Sequence, residues 1–457
     1  MDRCLWLLPF LAAASCGGPA PGSQDTIQDA VELPDRTGGL DVPADRSMPT
    51  DARELGEAGG EEPRIPACRP PVPRVLEGEP DGTFDLGPYL MHTTSDSAVV
   101  MWRTLEPADG AVAWRHGSGP ETTVEHAGSA TVHEVLLAEL PPDTDITYRV
   151  TSGGVVSGEH VFRTAPGPEA SSRFIAWGDN QHGFETFAAS QPGFLADGPH
   201  FLVGVGDHVQ EGKVPEQWKD QLFDPARALF HQVPFFAAIG NHEDNAGDWY
   251  ALNSHPFPAG DPDHETFYSY SWGNAFFLVI DVLKLPCPFG EVDTPQSAWI
   301  REAATSPEAQ AATWRIAYGH YPAISESWGD GDCSYEGTPC LRDWVLPFLA
   351  EQGFHLYMAG HTHAYERGEV AGMLHVIVGG GGGGLDAWCV DFPEVDVVHT
   401  EHHHARVDLG CETLRLEGVD LDGKVFDWVE IGPGTPVEIL DQGPADWLPP
   451  PTLNSDR

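Results

Sequence analysis

Basic side chains are scarce in this sequence: 24 Lys and Arg stand against 70 Asp and Glu, giving a formal charge of -46 at pH 7. A field of that sign repels polyanions, which excludes nucleic acid and anionic membrane surfaces as docking partners. A small phosphate ester stays admissible if bound cations reverse the field locally. Long apolar runs are missing too: beyond Leu5–Ala14 no stretch is long and apolar enough to cross a bilayer as a helix. No two of the 8 cysteines form a Cys-x-x-Cys pair, so a zinc ribbon is not indicated. The glycine run Gly379–Gly384 lacks the Gly-Lys-Ser/Thr ending of a phosphate-binding P-loop. It is expected to be a mobile loop near the mouth of a site.

The apolar run that is present, Leu5–Ala14, follows Arg3 and precedes Ser15-Cys16-Gly17. It is too short to span a membrane and suits an export signal over residues 1–16. Ala13-Ala14-Ser15-Cys16 resembles a bacterial lipobox. That resemblance implies a lipid anchor on Cys16, at the periplasmic face or the cell surface; simple secretion is the second choice. Residues 17–72 carry Gly, Pro, Asp and Glu without periodicity and are expected to form a disordered acidic tether. Cys68, Cys287, Cys333, Cys340, Cys389 and Cys411 then remain for disulfides. The pair Cys333/Cys340, flanking a Gly/Asp-rich loop, is the first choice.

Residues 73–168 alternate in short runs broken by Pro/Gly turns, which predicts a β-sandwich. Its strands are read at Ala98–Trp102, Ala111–Arg115, Val132–Ala138 and Ile146–Val150, with Tyr148 a candidate for a tyrosine-corner hydrogen bond. Over residues 172–432 strands alternate with helical stretches, an α/β pattern. Helices are predicted at Gln217–Phe230, at Pro295–Ala304 behind an N-capping Thr294, and at Leu341–Gln352 with a kink at Pro347. Residues 433–457 read as a Pro-rich tail.

The chemistry lies at five strand ends. Apolar strands run into Gly178-Asp179, Gly206-Asp207, Gly240-Asn241-His242-Glu243, Gly319-His320 and Gly360-His361-Thr362-His363. In open α/β sheets functional groups gather beyond the carboxyl ends of the strands, and the glycine permits close backbone approach. Carboxylate, amide and imidazole donors together suit Fe, Mn or Zn. Asp207 is the natural bridging carboxylate. Two ions roughly 3.5–4 Å apart can hold a bridging hydroxide and clamp a phosphoryl group. His402-His403-His404 open an apparent strand and are not expected in the site.

In this order, these strings resemble the calcineurin-like metallophosphoesterases. The string Gly360-His361-Thr362-His363-Ala364-Tyr365-Glu366-Arg367 and the preceding sandwich are similar to the purple acid phosphatase branch. The resemblance implies a fibronectin type III-like domain at 73–168, then a metallophosphoesterase domain at 172–432 with a β-sandwich core flanked by helices. It implies a first metal on Asp179 and His363, a bridging Asp207, a second metal on Asn241, His320 and His361, and His242 near the leaving oxygen. Two positions depart from the family. Gln210 stands where purple enzymes have tyrosine, and Gln181 where the broader family has histidine. Gln181, His182 or His208 is therefore left to complete the first metal shell. The function implied is hydrolysis of small phosphate mono- or diesters by attack of the bridging hydroxide. The alternative is a non-catalytic surface-binding protein on the same fold, and loss of metal ligands would be its mark. A metallo-β-lactamase-type site would need His-x-His-x-Asp-His, which Ala364-Tyr365-Glu366 does not supply.

Overall fold

The computed structural model describes residues 71–255, 265–291 and 293–443. The export signal, most of the acidic tether, Cys68 and the segment from Ala445 onward lie outside the described residues.

Residues 172–442 are built on two seven-stranded sheets. One holds Ser172–Trp177, Phe201–Gly204 and Phe235–Ala237 in parallel, extended antiparallel by His403–Leu409, Leu414–Asp420, Val425–Ile431 and Ile439–Gln442. The other runs Ala275–Ile280, Trp314–Gly319, Leu356–Ala359 and Met373–Val378 in parallel. Tyr268–Trp272, Tyr365–Val370 and Val395–His399 complete it. Period-two alternation sorts the side chains. Phe174, Ala176, Phe201 and Val203 share one core with Phe277, Val279, Ile316 and Val376 of the facing sheet. Ile175, Trp177 and Leu202 point the other way, into a helix-covered cluster with Phe187, Trp218 and Leu229. Ile280 and Leu278 meet Ile300 and Leu349 on the far side. Strands buried on both faces read as continuous apolar runs, which is why these segments stand out in the sequence.

Several elements differ from the expectation. The strands read at Ala98–Trp102 and Ala111–Arg115 are the two ends of one 19-residue strand, Ala98–His116. It pairs with Thr122–Leu137 through register breaks around Ala108. Those breaks bend both strands so that their halves enclose a common core of Val100, Trp102, Val112, Ile146, Tyr148 and Phe162. Tyr148 makes no tyrosine corner; its hydroxyl donates to the His231 carbonyl at 2.9 Å. The helix read at Gln217–Phe230 is broken into Pro215–Gln217, a π-helical Trp218–Phe223 and Arg227–Phe230. Pro225 between the last two pieces has no N–H to continue the ladder. The helix at Leu341 likewise opens as a π-helical turn, Leu341–Val345, and Pro347 falls in the first turn of Leu346–Glu351, where its missing N–H is harmless. Thr294 and Ser297 form a reciprocal capping box on Pro295–Ala304. The expected tail is ordered to Gln442, because Ile439–Gln442 pairs on the edge of the sheet that holds Ser172–Trp177.

The expected Cys333/Cys340 bridge is not formed: Cys287, Cys333, Cys340 and Cys389 are all free thiols. The Cys333 thiol contacts that of Cys389, and Cys340 contacts Cys287. The reason is non-local. The loop carrying Cys333 lies along Ala387–Cys389, with the Cys389 N–H donating to Glu326 and the Trp328 N–H to Ala387. Cys340 instead faces Pro286, whose carbonyl its thiol meets at 3.3 Å. Cys411 is disulfide-bonded. Incubation with oxidised glutathione followed by non-reducing peptide mapping is expected to give Cys287–Cys340 and Cys333–Cys389 cross-links. A Cys333–Cys340 peptide would contradict this arrangement.

Candidate metal centre

All five strand ends identified in the sequence open at one place, the seam where the parallel halves of the two sheets meet. One sheet delivers Asp179, Asp207 and Asn241, and the other delivers His320, His361 and His363. The turns there are strained: Asp179, Asp207 and His361 have φ of 60°, 53° and 69°. Left-handed non-glycine residues persist only where the surroundings over-determine them, and they cluster at functional sites. Gly206 itself takes a left-handed φ of 99°, while Gly240 and Gly360 are needed for close approach. A Cβ on Gly240 would lie 2.2 Å from Asp207 Oδ1, and one on Gly360 would lie 2.3 Å from Asp179 Oδ2.

The imidazoles are oriented by main-chain carbonyls. His320 Nδ1 donates to Val205 at 2.9 Å, His363 Nδ1 to Gly384 at 2.5 Å, and His242 Nδ1 to Gln210 at 2.7 Å. Each ring therefore turns Nε2 inward, the usual outer support of a metal-binding histidine. His320 Nε2 lies 3.0 Å from Asp207 Oδ2 and 3.1 Å from Asn241 Oδ1. Asp207, His320 and His361 have one donor atom each within 4.8 Å of one another, a possible metal-binding triad. His242 Nε2 stands 3.8 Å from Asp207 on the open side. A second group forms around Asp179, where His363 Nε2 is 3.6 Å from its carboxylate and the Gln181 amide nitrogen is 3.0 Å from that Nε2. The His361 N–H donates to both Asp179 oxygens, at 3.0 and 2.9 Å, joining the two groups.

Charge crowding follows. Burial and the Asp207 carboxylate push Asp179 well above the usual carboxylate range. For Asp207, burial is outweighed by His320, which holds it down to about 2. Burial of His320 is likewise outweighed by Asp207, Asp179 and Glu243, which raise it to about 9. Lone pairs of Asp207 and Asn241 thus converge on His320 Nε2, and only a proton there balances them. The buried Gln181 Oε1 has no hydrogen-bond partner. This is the donor chemistry that cations satisfy, so the residues fit a metal centre.

Of the three candidates for the open position in the first shell, Gln181 is the one that reaches the group. His208 is buried in the core against Trp177 and Phe235, with Nδ1 3.3 Å from Asn180 Oδ1. The His182 ring is exposed. The glycine run is not a loose loop. Gly379 to Gly383 are buried, the Gly381 N–H donates to Gly178 at 2.9 Å, and the Gly383 N–H donates to Asp179 at 2.8 Å. A Cβ on Gly379 would lie 1.9 Å from the Thr362 carbonyl. The run is therefore the floor under Asp179. His404 is spent on Asp197 at 2.9 Å, and the Nδ1 atoms of His402 and His403 meet the carbonyls of Gly380 and Glu401.

Three supporting acids escape a reading based on ligand type. Glu243 accepts from the N–H groups of Asp207, His208 and Gly240, and burial with Asp207 raises it to about 7. Glu366 accepts from Ser325 and from the N–H groups of Glu326 and Ser327. Asp386 holds the His363 and Gly329 N–H groups, both at 2.8 Å. Glu243 and Glu366 sit inside the motif strings and were visible there without a role; nothing local marks Asp386. Tyr318 donates into the core, to Phe236 and Tyr270, whereas Tyr321, one residue past His320, has its ring 4.2 Å from that of His361. The tyrosine nearest the site is thus Tyr321, not the Tyr250 or Tyr318 that sequence proximity suggests.

Comparison with known proteins agrees with this geometry. Residues 172–365 match the family model of the calcineurin-like phosphoesterases. The chain is 24% identical over 337 residues to a phosphoenolpyruvate phosphatase of Allium cepa, covering 66% of this chain and 67% of that protein. It is 24% identical over 327 residues to a probable inactive purple acid phosphatase 27 of Arabidopsis thaliana, covering 59% of this chain and 52% of that one. It is 22% identical over 351 residues to purple acid phosphatase 23 of the same plant, covering 67% and 71%. The chain thus spans between about half and about two thirds of its relatives' lengths. The fold is shared with the purple acid phosphatase of yellow lupin seeds, at TM-score 0.66, 19% identity and coverage of 76% and 74%. It is also shared with PhoD, at TM-score 0.58, 13% identity and coverage of 80% and 94%. The strand-end donors at the seam of two facing sheets therefore belong to a calcineurin-like phosphoesterase domain, with purple acid phosphatases among its relatives and structural neighbours.

Proposed function

We propose that the domain hydrolyses small phosphate mono- or diesters at a centre of two metal ions. Asp179, His363 and Gln181 would hold the first, Asn241, His320 and His361 the second, and Asp207 would bridge. The observation that carries this reading is the convergence on His320 Nε2 of Asp207 Oδ2 at 3.0 Å and Asn241 Oδ1 at 3.1 Å, beside His361. When bound, such a pair supplies Lewis-acid neutralisation of the phosphoryl oxygens and a lowered pKa for the attacking water. The chain's own residues do the rest. The Val205, Gly384 and Gln210 carbonyls hold the three imidazoles through Nδ1 with Nε2 turned inward. His242, partly exposed, has Nε2 on the open side of Asp207, where a protonated ring donates to the departing oxygen. Several Arabidopsis relatives carry names that mark them as inactive. The non-catalytic alternative would show as lost ligands, and here the donors that differ are the tyrosine replaced by Gln210 and the histidine replaced by Gln181, while Asp179, Asp207, Asn241, His320, His361 and His363 are all present.

The bridging role is the first point of test. Asp207→Asn is expected to lose at least one metal ion per chain and at least about a hundredfold in kcat on a generic aryl phosphate, since a neutral amide bridges two cations poorly. Elemental analysis and turnover of the same sample measure both. Full activity with unchanged metal content would remove the assignment.

Colour is the second. With Gln210 in place of tyrosine, no phenolate reaches the first ion from that position, and divalent Mn or Zn is expected to support activity. Active, iron-loaded protein is expected to lack a strong visible band. A band that disappears on reduction would show another phenolate at the metal, and its loss in Tyr321→Phe would identify which.

We also propose that the protein is exported and lipid-anchored through Cys16. Support comes from the apolar run Leu5–Ala14 and the Ala-Ala-Ser-Cys string. In a bacterial host with lipoprotein processing, Cys16→Ser is expected to move the protein from the membrane to the soluble fraction. A wild type that is itself soluble would leave ordinary secretion.

A further inference from the structure

The wall of the site beside His361 is aromatic. The rings of Tyr321, Trp328 and Tyr335 have centroids 4.2, 5.0 and 4.8 Å from that of His361. Trp328 and Tyr335 also pack on each other at 4.8 Å. All three are only partly buried.

The wall is rigidly held. The Trp328 N–H donates to Ala387 at 3.0 Å, and the Ala387 N–H returns to Gly329 at 2.9 Å. The Tyr335 and Thr338 hydroxyls meet at 3.0 Å. Glu366 and Asp386 fasten the same loop to the strand end that carries His361 and His363. Fixed aromatic surfaces bind flat groups at little entropic cost.

A leaving group carrying further phosphate or carboxylate would meet the repulsive field of a strongly acidic protein.

From this we infer that Trp328 and Tyr335 form a leaving-group subsite that selects phosphate esters of flat, uncharged aromatic alcohols. The inference rests on the phosphoesterase reading above and adds the substrate class. The phosphoryl group would occupy the metals, while the aryl group stacks on the exposed part of the Trp328–Tyr335 wall.

Two measurements separate the subsite from the reaction. The first is binding to the metal-loaded protein by calorimetry, with phenylphosphonate and methylphosphonate as probes. Wild type is expected to bind phenylphosphonate at least about tenfold tighter. The ratio should fall to near one in the double variant Trp328→Ala/Tyr335→Ala and return in Trp328→Phe. The second is turnover of 1-naphthyl phosphate and glycerol 2-phosphate. In the double variant KM for the naphthyl ester is expected to rise about tenfold while the glycerol ester is unchanged and metal content is retained. A ratio near one in wild type overturns the subsite, even if both esters are hydrolysed. Equal losses for both esters, or lost metal, would show that the wall only positions His361 and would also overturn it. Selective binding without turnover would keep the subsite and defeat the hydrolase reading.

Discussion

Holding several carboxylates and unprotonated nitrogens at one buried point is the constraint on which the molecule is organised. Such groups repel one another and lose hydration on burial, so they do not gather unless the backbone forces them to. Here the forcing has two parts. Parallel strands from facing sheets end at the same seam, and main-chain N–H groups saturate the acids that metals would not. Glu243 takes three such N–H groups beneath Asp207, and Glu366 takes those of Glu326 and Ser327. The left-handed turns at Asp179, Asp207 and His361 are the local cost of the arrangement.

The same constraint explains what was legible in the sequence. A strand buried on both faces followed by glycine and a donor is a local pattern. The rule that parallel strands present their carboxyl ends together makes it three-dimensional without further information. Every strand-end donor read that way is found at the seam, and the helix behind Thr294 is where its capping signal puts it. What stayed illegible depends on distant partners. Ala98–Trp102 and Ala111–Arg115 look like separate strands because the bend between them is relieved only by a partner that bends too. Cys333 is nearest in sequence to Cys340, but the loop that carries it is laid along Ala387–Cys389. Gly379–Gly384 reads as loose because nothing local reveals that Gly178, Asp179 and Thr362 fill the space that side chains would need. His208 has the right type and position for a ligand but turns inward, since the absence of a side chain on Gly204 leaves room for its ring.

The strand after the last ligand shows how support of the site becomes support of the fold. Tyr365 and Arg367 both bind the buried Asp427, the arginine through Nε at 2.7 Å and Nη2 at 3.0 Å. Glu366 between them turns the other way, to Ser325–Ser327. Alternation along one strand thus ties the first sheet to the second on one side and the aromatic loop to the ligand loop on the other. Removing one partner of a buried ion pair of this kind costs about 3–5 kcal/mol, because the other charge is stranded. The specificity of the Tyr-Glu-Arg string is therefore mechanical; none of its members is placed to touch the metals.

The N-terminal six-stranded sheet enters the same chain of support. Leu86, Tyr89, Met101 and Val99 share a core with Trp177, Trp218 and Phe235, so the two parts are packed as one body rather than strung on a linker. Arg227 fixes the contact by donating to the carbonyls of Asp81, Phe84, Asp85 and Gly87, and Tyr148 reaches His231 from the other side. The segment so clamped, Pro215–His231, carries Gln221 toward the site. Gln221 accepts from the Gln210 N–H at 2.8 Å, and its carbonyl accepts from Asn180 at 2.9 Å. Gln210 in turn offers the carbonyl that orients His242. The π-helical turn at Trp218–Phe223 gains its reason from this geometry. It buries Trp218, Leu222 and Phe223 while turning Gln221 toward the loop between Asp207 and Glu211, which a regular helix broken by Pro225 would not align. The N-terminal sheet contributes no donor to the centre, yet the orientation of His242 is traced back to that interface.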